Sequence, residues 1–366
     1  MKHSRLILLA LFASALVKLW LALNTHGSID VSGFYDQLQK IRALGVGAYG
    51  VRGPFDNVFS HPPAMIHIIK FWGWLADSTE LPFRFWLRLP SISADIGSFF
   101  IVARWLVKLQ PTPDHFWRLL ALVLCPASII ISGWHGNTDS LMIFLVLLAV
   151  YLVETERASW LAGFVFGLSL CVKFVPLIFV PAVFFYLPRW RTRLSFFGAA
   201  AATFILCSLP YIAQDPQAVK SVVFGYSSIY GHWGLTLLAL LVSEPPMYSH
   251  GWYDVQGGHA IFAAVLKYAT LGLICALAVW LNRREKRSSF FVQCGLVAAI
   301  FLFLTPGFGQ QYLAWIVPFV AALRLRTIIL FYLSSGLLVL FGGFMLSMIC
   351  WLVLPLVDCS KSFVMN

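Results

Sequence analysis

Apolar residues run along this chain in long unbroken stretches, and polar residues collect between the stretches instead of alternating with them. Period-two alternation, the mark of a half-buried strand, is absent. A helix needs about 20 apolar residues to cross a bilayer core, and runs of that kind recur from end to end. Lipid offers the backbone no hydrogen-bond partner, so only helices or closed barrels can span it; the pattern selects helices. Candidate spans are residues 6–23, 89–107, 117–132, 140–153, 159–172, 175–187, 194–212, 260–281, 290–304, 312–323 and 327–353. Residues 62–76 (PPAMIHIIKFWGWLA) are also apolar, but the stretch is brief, carries Lys70 and holds two tryptophans, which suits a helix lying in the interface. The expected fold is all-α: a polytopic transmembrane helical bundle of about 11 spans with interfacial helices in its first outer loop. We read residues 1–366 as one domain, with an N-terminal module at 1–213 and C-terminal helices at 214–366.

Composition supports this reading and charge orients it. Hydrophobic residues make up 60% of the chain and charged residues 11%, against about 25% charged in soluble domains. A net charge of +11 would suggest nucleic acid in a soluble protein. In a membrane protein Lys and Arg gather in cytoplasmic loops, so no nucleic-acid partner is expected. Positive clusters recur at Lys2/Arg5, Arg104/Lys108/Arg118, Arg157, Arg189/Arg191/Arg193, Arg283/Arg284/Lys286/Arg287 and Arg324/Arg326. If all face the cytoplasm, the N-terminus is inside, the C-terminus outside, and counting 62–76 as a span would invert every later loop. The start of the chain resembles a signal peptide, but no small-residue cleavage site follows, and residues 6–23 read as an uncleaved first helix. Seven cysteines are scattered with no C-x-x-C pair, which indicates neither a zinc site nor a disulfide framework.

The scheme leaves residues 24–88, 214–259 and a turn at 305–311 outside, joined by a smaller turn at 134–139. Chemistry is expected there. Asp30 follows the first helix, with Asp36 six residues on. A carboxylate at a membrane rim can serve as a base toward a hydroxyl, and it can equally cap the helical pattern that begins at Gly33. Lys40, Arg42, Arg52, Lys70, Arg84 and Arg88 put positive charge on the outer face, suited to a phosphate-bearing lipid or to anionic head groups. In WHGNTDS, His135, Asn137 and Asp139 gather between two apolar spans; Thr138 or Asp139 can also cap the next helix. Two potential ligands, His135 and Asp139, do not make a metal site, so no metal or other cofactor is assigned and a divalent ion stays unsupported. Lys173 in CVKFVP is costly at membrane depth unless it snorkels or meets an anion, and Pro176 favours a broken hairpin that aims it at a cavity. His61, His232, Gln310 and Gln311 complete the outer-face polar set; the aromatic residues near them read as interfacial belt. Asp95, inside the second span, reads as paired with Arg88 or a facing helix.

The ordered set resembles GT-C superfamily glycosyltransferases. The likeness lies in Asp30, Phe34-Tyr35, Gly45 and Tyr49, then His61-Pro62-Pro63, Arg88 and Asp95, WHGNTD, the G-x-x-x-G-L-x-L-x-x-K-x-x-P run from Gly163 to Pro176, GHWGL and FGQQYLAWIVPF. It is strongest toward bacterial polyprenyl-phosphate-mannose-dependent transferases and relatives of the GPI mannosyltransferases, and it fades after about Arg326. The resemblance implies transfer of a hexose, mannose by this likeness, from a polyprenyl-phosphate donor, with inversion at the anomeric carbon. Asp30 takes the role of the first-loop catalytic base. The acceptor stays open among lipid, glycan and protein, and the location implied is a bacterial inner (plasma) membrane with the site facing outside. One acid only, in Asp30-Val31-Ser32, favours a metal-free mechanism. A transporter or lipid flippase is the competing reading, since Lys18 and Lys267 are charges inside spans, but no two equivalent halves are visible.

Overall fold

A computed structural model describes residues 2–51, 59–108, 113–223, 228–244, 247, 255–283 and 288–353. Arg52, Arg284, Lys286 and Arg287, all named above, lie outside the described residues. The described chain is largely helical, and an isolated strand-like bridge joins Tyr230 and Gly307. In order the helices are α1 (Lys2–Asn24), α2 (Ile29–Leu44), α3 (Met65–Ser78), α4 (Phe83–Lys108), α5 (His115–Val123), α6 (Pro126–Ile130), α7 (Asp139–Glu154) and α8 (Ser159–Val172). There follow α9 (Val180–Tyr186), α10 (Trp190–Ile212), α11 (Pro216–Val223), α12 (Gly234–Val242), α13 (Gly257–Arg283), α14 (Phe290–Leu304), α15 (Val317–Val320) and α16 (Leu325–Val353).

Among the described residues, five helical stretches are long and apolar enough to cross a membrane: Arg5–Asn24, Phe83–Val107, His115–His135, Trp190–Ile212 and Gly257–Arg283. Four more, Ser159–Val172, Val175–Tyr186, Phe290–Leu304 and Leu325–Phe341, are apolar but shorter. The expected set of about 11 spans thus takes the form of a mixture of long helices and helices too short to cross alone. At a 1.5 Å rise, α8 reaches only about 21 Å, short of the ~30 Å core. The expected span at 312–323 is a 3-10 turn, Gln310–Trp315, followed by the single turn of α15, both packed into the bundle. Residues 62–76 do form a short separate helix, α3, with Ile66, Ile69 and Trp72 buried and Phe71 and Trp74 exposed. Two helices, α11 and α12, arise in the outer segment 214–259 where none was expected.

Lipid-facing and inner helices differ as their composition requires. Most of α1, α10 and α13 faces outward, with Leu9, Phe12, Trp20, Leu206, Ile261 and Tyr268 exposed, while α4 and the 115–135 stretch are mostly buried. Helices α8 and α10 pack closely against each other, and glycine allows it. A Cβ on Gly163 would sit 2.1 Å from the Phe196 carbonyl oxygen, and one on Gly167 would sit 2.6 Å from that of Ala200. This is the small-residue spacing that lets helices approach in lipid. At the end of the bundle remote from α2, Glu154 accepts from Trp105 Nε1 (3.1 Å) and from the Phe290 N–H (3.1 Å), joining α4, α7 and α14. Trp105 stacks on Phe291 there at 4.1 Å.

Candidate active site

The turn that carries His135 and Asn137 is shaped by its own sequence. Helix α5 ends at Val123, three residues before Pro126; the residue before a proline is pushed out of the helical region, as Cys125 is (φ −57°, ψ 113°). The Ser132 hydroxyl donates back to the Ser128 carbonyl (2.8 Å), and residues 131–135 widen into a π-helical turn, a feature common at functional sites. Gly133 lets this turn press on α1, where a Cβ would lie 2.9 Å from Lys18 Cα. Gly136 ends it in the left-handed region (φ 78°), and a Cβ there would lie 2.3 Å from Val31 Cγ2.

That turn meets the start of α2. Ser28 caps α2 by accepting from the Asp30 N–H (3.2 Å) and donates its hydroxyl to the His135 carbonyl (2.7 Å). Asp30 is therefore not the cap; it sits in the first turn with its carboxylate free. Asp30 Oδ2 lies 3.0 Å from His135 Nε2 and accepts from Asn137 Nδ2 at 2.6 Å. Asn137 Oδ1 accepts from Lys173 Nζ (3.0 Å), and Lys173 Nζ also donates to Asp139 Oδ2 (2.7 Å). Trp315 Nε1 donates to the other oxygen, Asp139 Oδ1, at 2.5 Å. Lys173 can reach inward because α8 stops at Val172: Lys173 itself is extended, and the chain resumes as a 3-10 turn at Val175–Phe179 around Pro176. Ser91 fixes the turn from α4 by donating to the Asn137 carbonyl (2.6 Å).

Exposure grades along this chain of contacts. The side chain of Asp30 is 26% exposed and that of Lys173 14%, whereas Asp139 is fully buried. Burial pushes the Asp30 carboxyl up, but His135, Asn137 and Lys173 together outweigh it and hold the pKa at about 2. Asp30 is thus an ionised carboxylate at any ordinary pH. His61 packs its ring on Phe34 (5.0 Å) and approaches the Val172 carbonyl, one residue from Lys173. Burial, helped by the Lys173 charge, lowers its pKa to about 3 and keeps it neutral.

Five predicted residues, Asp30, His135, Asn137, Asp139 and Lys173, meet in one network, and His61 borders it. Arg88 is adjacent, and its Nη1 donates to the carbonyls of Leu21, Ala22 and Thr25, closing the C-terminal end of α1. Asp36 pairs with Lys40 one turn along α2 (2.7 Å). His232 is exposed on the turn before α12, and the Gln311 side chain lies over Gly309, with Gln310 beside it at the start of the 3-10 turn. Asp95 pairs with Lys18 of α1 (2.6 Å), a facing helix and not Arg88. Sequence reading passed over Trp315, Ser28 and Ser91. Trp315 carries no signal of its own in the sequence, because a tryptophan near a membrane surface reads as interfacial belt; its partner Asp139 lies 176 positions away. Among the described residues, no three His, Cys, Asp or Glu side chains cluster as metal ligands would.

Residues 75–224 match the ALG6, ALG8 glycosyltransferase family. The matched segment runs from the end of α3 into α11, so it holds His135, Asn137, Asp139 and Lys173 but neither Asp30 nor Trp315. The match bears out the resemblance to GT-C membrane glycosyltransferases. Together with the membrane-length helices, it supports a glycosyltransferase embedded in a membrane, acting between a sugar donor and an acceptor. Among curated proteins, none matches the chain.

Proposed function

We propose that the chain transfers a hexose from a polyprenyl-phosphate donor to an acceptor hydroxyl at the extracytoplasmic membrane surface, with inversion and with Asp30 as the base. One observation carries the reading: a carboxylate open to the exterior sits within hydrogen-bond reach of His135 and Asn137, with the Lys173 ammonium one side chain further on. The acceptor oxygen attacks the anomeric carbon on the face opposite the phosphate. The new C–O bond forms as the bond to the phosphate oxygen breaks, the acceptor proton passes to Asp30, and polyprenyl phosphate leaves. Charge grows on that phosphate in the transition state, and the Lys173 ammonium and the His135 ring, 3.0 Å from Asp30, are the groups placed to meet it. Arg88 gives Nη1 to the α1 carbonyls, while its Nε and Nη2, beside Gly136 and Gly27, have no partner among the described residues and are a further donor set for that phosphate.

A carboxylate with a pKa of about 2 is a weak base in the free protein. A phosphate that engages His135 and Lys173 draws them away from Asp30 and raises its basicity when the donor is present. A lipid phosphate needs no proton to depart, so one carboxylate suffices. The donor set also favours a metal-free site: Asp139, the second acid, is fully engaged by Lys173 and Trp315, and an ammonium 3.0 Å from Asn137 Oδ1 repels a divalent ion. Of the two charges behind the transporter reading, Lys18 is closed into a salt bridge with Asp95 and Lys267 is exposed on α13.

The test is direct. Purified protein in lipid is incubated with radiolabelled polyprenyl-phosphate hexoses, mannose first, and a membrane extract as acceptor source. Label should move from the donor to a new product. Donors that stay intact across the hexose series would overturn the proposal.

A further inference from the structure

Deeper in the bundle, distinct from the Asp30 site, lies a cavity of about 30 Å³ bounded by α1, α4, α5 to α7 and the 314–318 segment. Its wall is mostly apolar but carries six polar side chains, those of Ser14, Lys18, Asp95, Ser98, Ser128 and Ser140. Lys18 Nζ donates to Asp95 Oδ2 (2.6 Å) and to Ser128 Oγ (2.9 Å), and Ser128 Oγ donates to the same Asp95 oxygen (2.8 Å). An ammonium has three N–H donors, so one is left over. The hydroxyls of Ser98 and Ser140, 7% and 1% exposed, also line the cavity, and neither has a protein partner.

A buried hydroxyl without a partner is costly, and so is an ammonium at membrane depth that lacks a full set of acceptors. A cavity holds a water when it offers roughly 10–15 Å³ to the water centre and two to four polar partners. Both conditions are met here. We infer that this cavity is a hydration site, in which ordered water accepts from the third Lys18 N–H and pairs with the Ser98 and Ser140 hydroxyls. The occupant is water and not a second cation, because Lys18 already fills the position beside Asp95. The space is also too small for a sugar or an acyl chain. With the Lys18, Asp95 and Ser128 contacts, the water ties α1 to α4 and α6. Ser140 directly follows Asp139, so the same water backs the first turn of α7, from which Asp139 holds Lys173.

The molecule contains its own control. A second void, among Val146, Phe166, Phe179, Phe196 and Phe290, is lined by hydrocarbon alone and has no room for water. Hydroxyl radicals made by a millisecond X-ray pulse oxidise side chains that touch bound water, buried or not. In the full-length protein in lipid nanodiscs, Phe99 and Leu122 beside the wet cavity should oxidise several-fold faster than Phe166 and Phe179 beside the dry one. All four are at most 8% exposed, so bulk access does not separate them. Equal rates would mean a dry cavity and overturn the inference. Ser98→Leu, which fills the space, should bring Phe99 down to the Phe166 rate. Fast labelling of Phe99 that persists in that variant would also overturn it, and should the variant fail to fold, the wild-type comparison decides alone.

Discussion

At the scale of single residues, the site divides into groups that can reach a substrate and groups that hold them. Asp30→Asn keeps the shape and the contact with Asn137 but removes the base, and we expect transfer to fall by about 10²–10⁴, the usual worth of one general base, with membrane insertion unchanged. Label transfer and size-exclusion behaviour of the purified variant check the two halves. Trp315→Phe is the opposite case: it touches no reacting atom but leaves the fully buried Asp139 Oδ1 unpaired, at a cost of about 1–3 kcal/mol. A thermal melt should show that loss, and transfer should weaken through a loosened Lys173. His61 supplies a pH dependence. Its folded pKa of about 3 lies below the ordinary 6.5, so between these values the unfolded chain binds a proton that the folded chain does not. Stability from this residue is therefore present above pH 6.5 and declines as pH falls toward 3. Melting temperatures of wild type should drop between pH 7 and pH 4, and more steeply than those of His61→Gln. Equal slopes would assign the drop elsewhere. The polar members of the site were legible because each is conspicuous in an apolar chain. Trp315 was not, since an indole near a membrane surface looks like any belt residue until its N–H acceptor is seen.

At the scale of elements, glycine and proline place the polar groups. The break at Lys173 was readable from Pro176, and the short helix α3 from its length, its lysine and its tryptophans. The π-helical turn was not readable, because it results from Ser132 bonding back, Gly133 meeting α1 and Gly136 adopting positive φ at once. Nor was the role of Arg88, whose partners on α1 lie more than sixty positions earlier and come within reach only when the helices pack. The glycine pair on α8 offers a test of packing alone. A side chain at Gly163 collides with the Phe196 backbone, and backbone cannot step aside as a flexible side chain can. Gly163→Leu should destabilise the fold by about 1–3 kcal/mol, the usual cost of overpacking, whereas Gly272→Leu on the outward face of α13, where a Cβ meets nothing, should be neutral. Detergent-resistance melts of both variants make the comparison.

At the scale of the whole molecule, the helix ends sort into two sets, and the sorting follows from contacts rather than from any assumed membrane. Asn24, the start of α4, the turn at His135, the end of α8 and the end of α10 all lie on the Asp30 side, linked by Arg88 to α1, by Lys173 to Asn137 and by Tyr211 to His67. The other side gathers the end of α4, the end of α7 and the start of α14, joined through Glu154, with Arg118 donating to the Ala321 carbonyl. Arg104, Lys108, Arg118, Arg157, Arg189 and Arg324 fall on that second side, so charge parity along the sequence already contained the antiparallel order of the helices. It could not contain their lengths, because a short buried helix and a full span share one apolar pattern. If the basic side is cytoplasmic, as the positive-inside bias requires, the Asp30 site opens outward. Single cysteines at two exposed turns test this: Glu80→Cys beside the site and Glu156→Cys at the basic end. A membrane-impermeant maleimide applied to intact cells should label the first above the parent background and spare the second until the cells are opened. The reverse pattern would turn the protein over in its membrane and, with it, direct the search for donor and acceptor to the cytoplasmic leaflet.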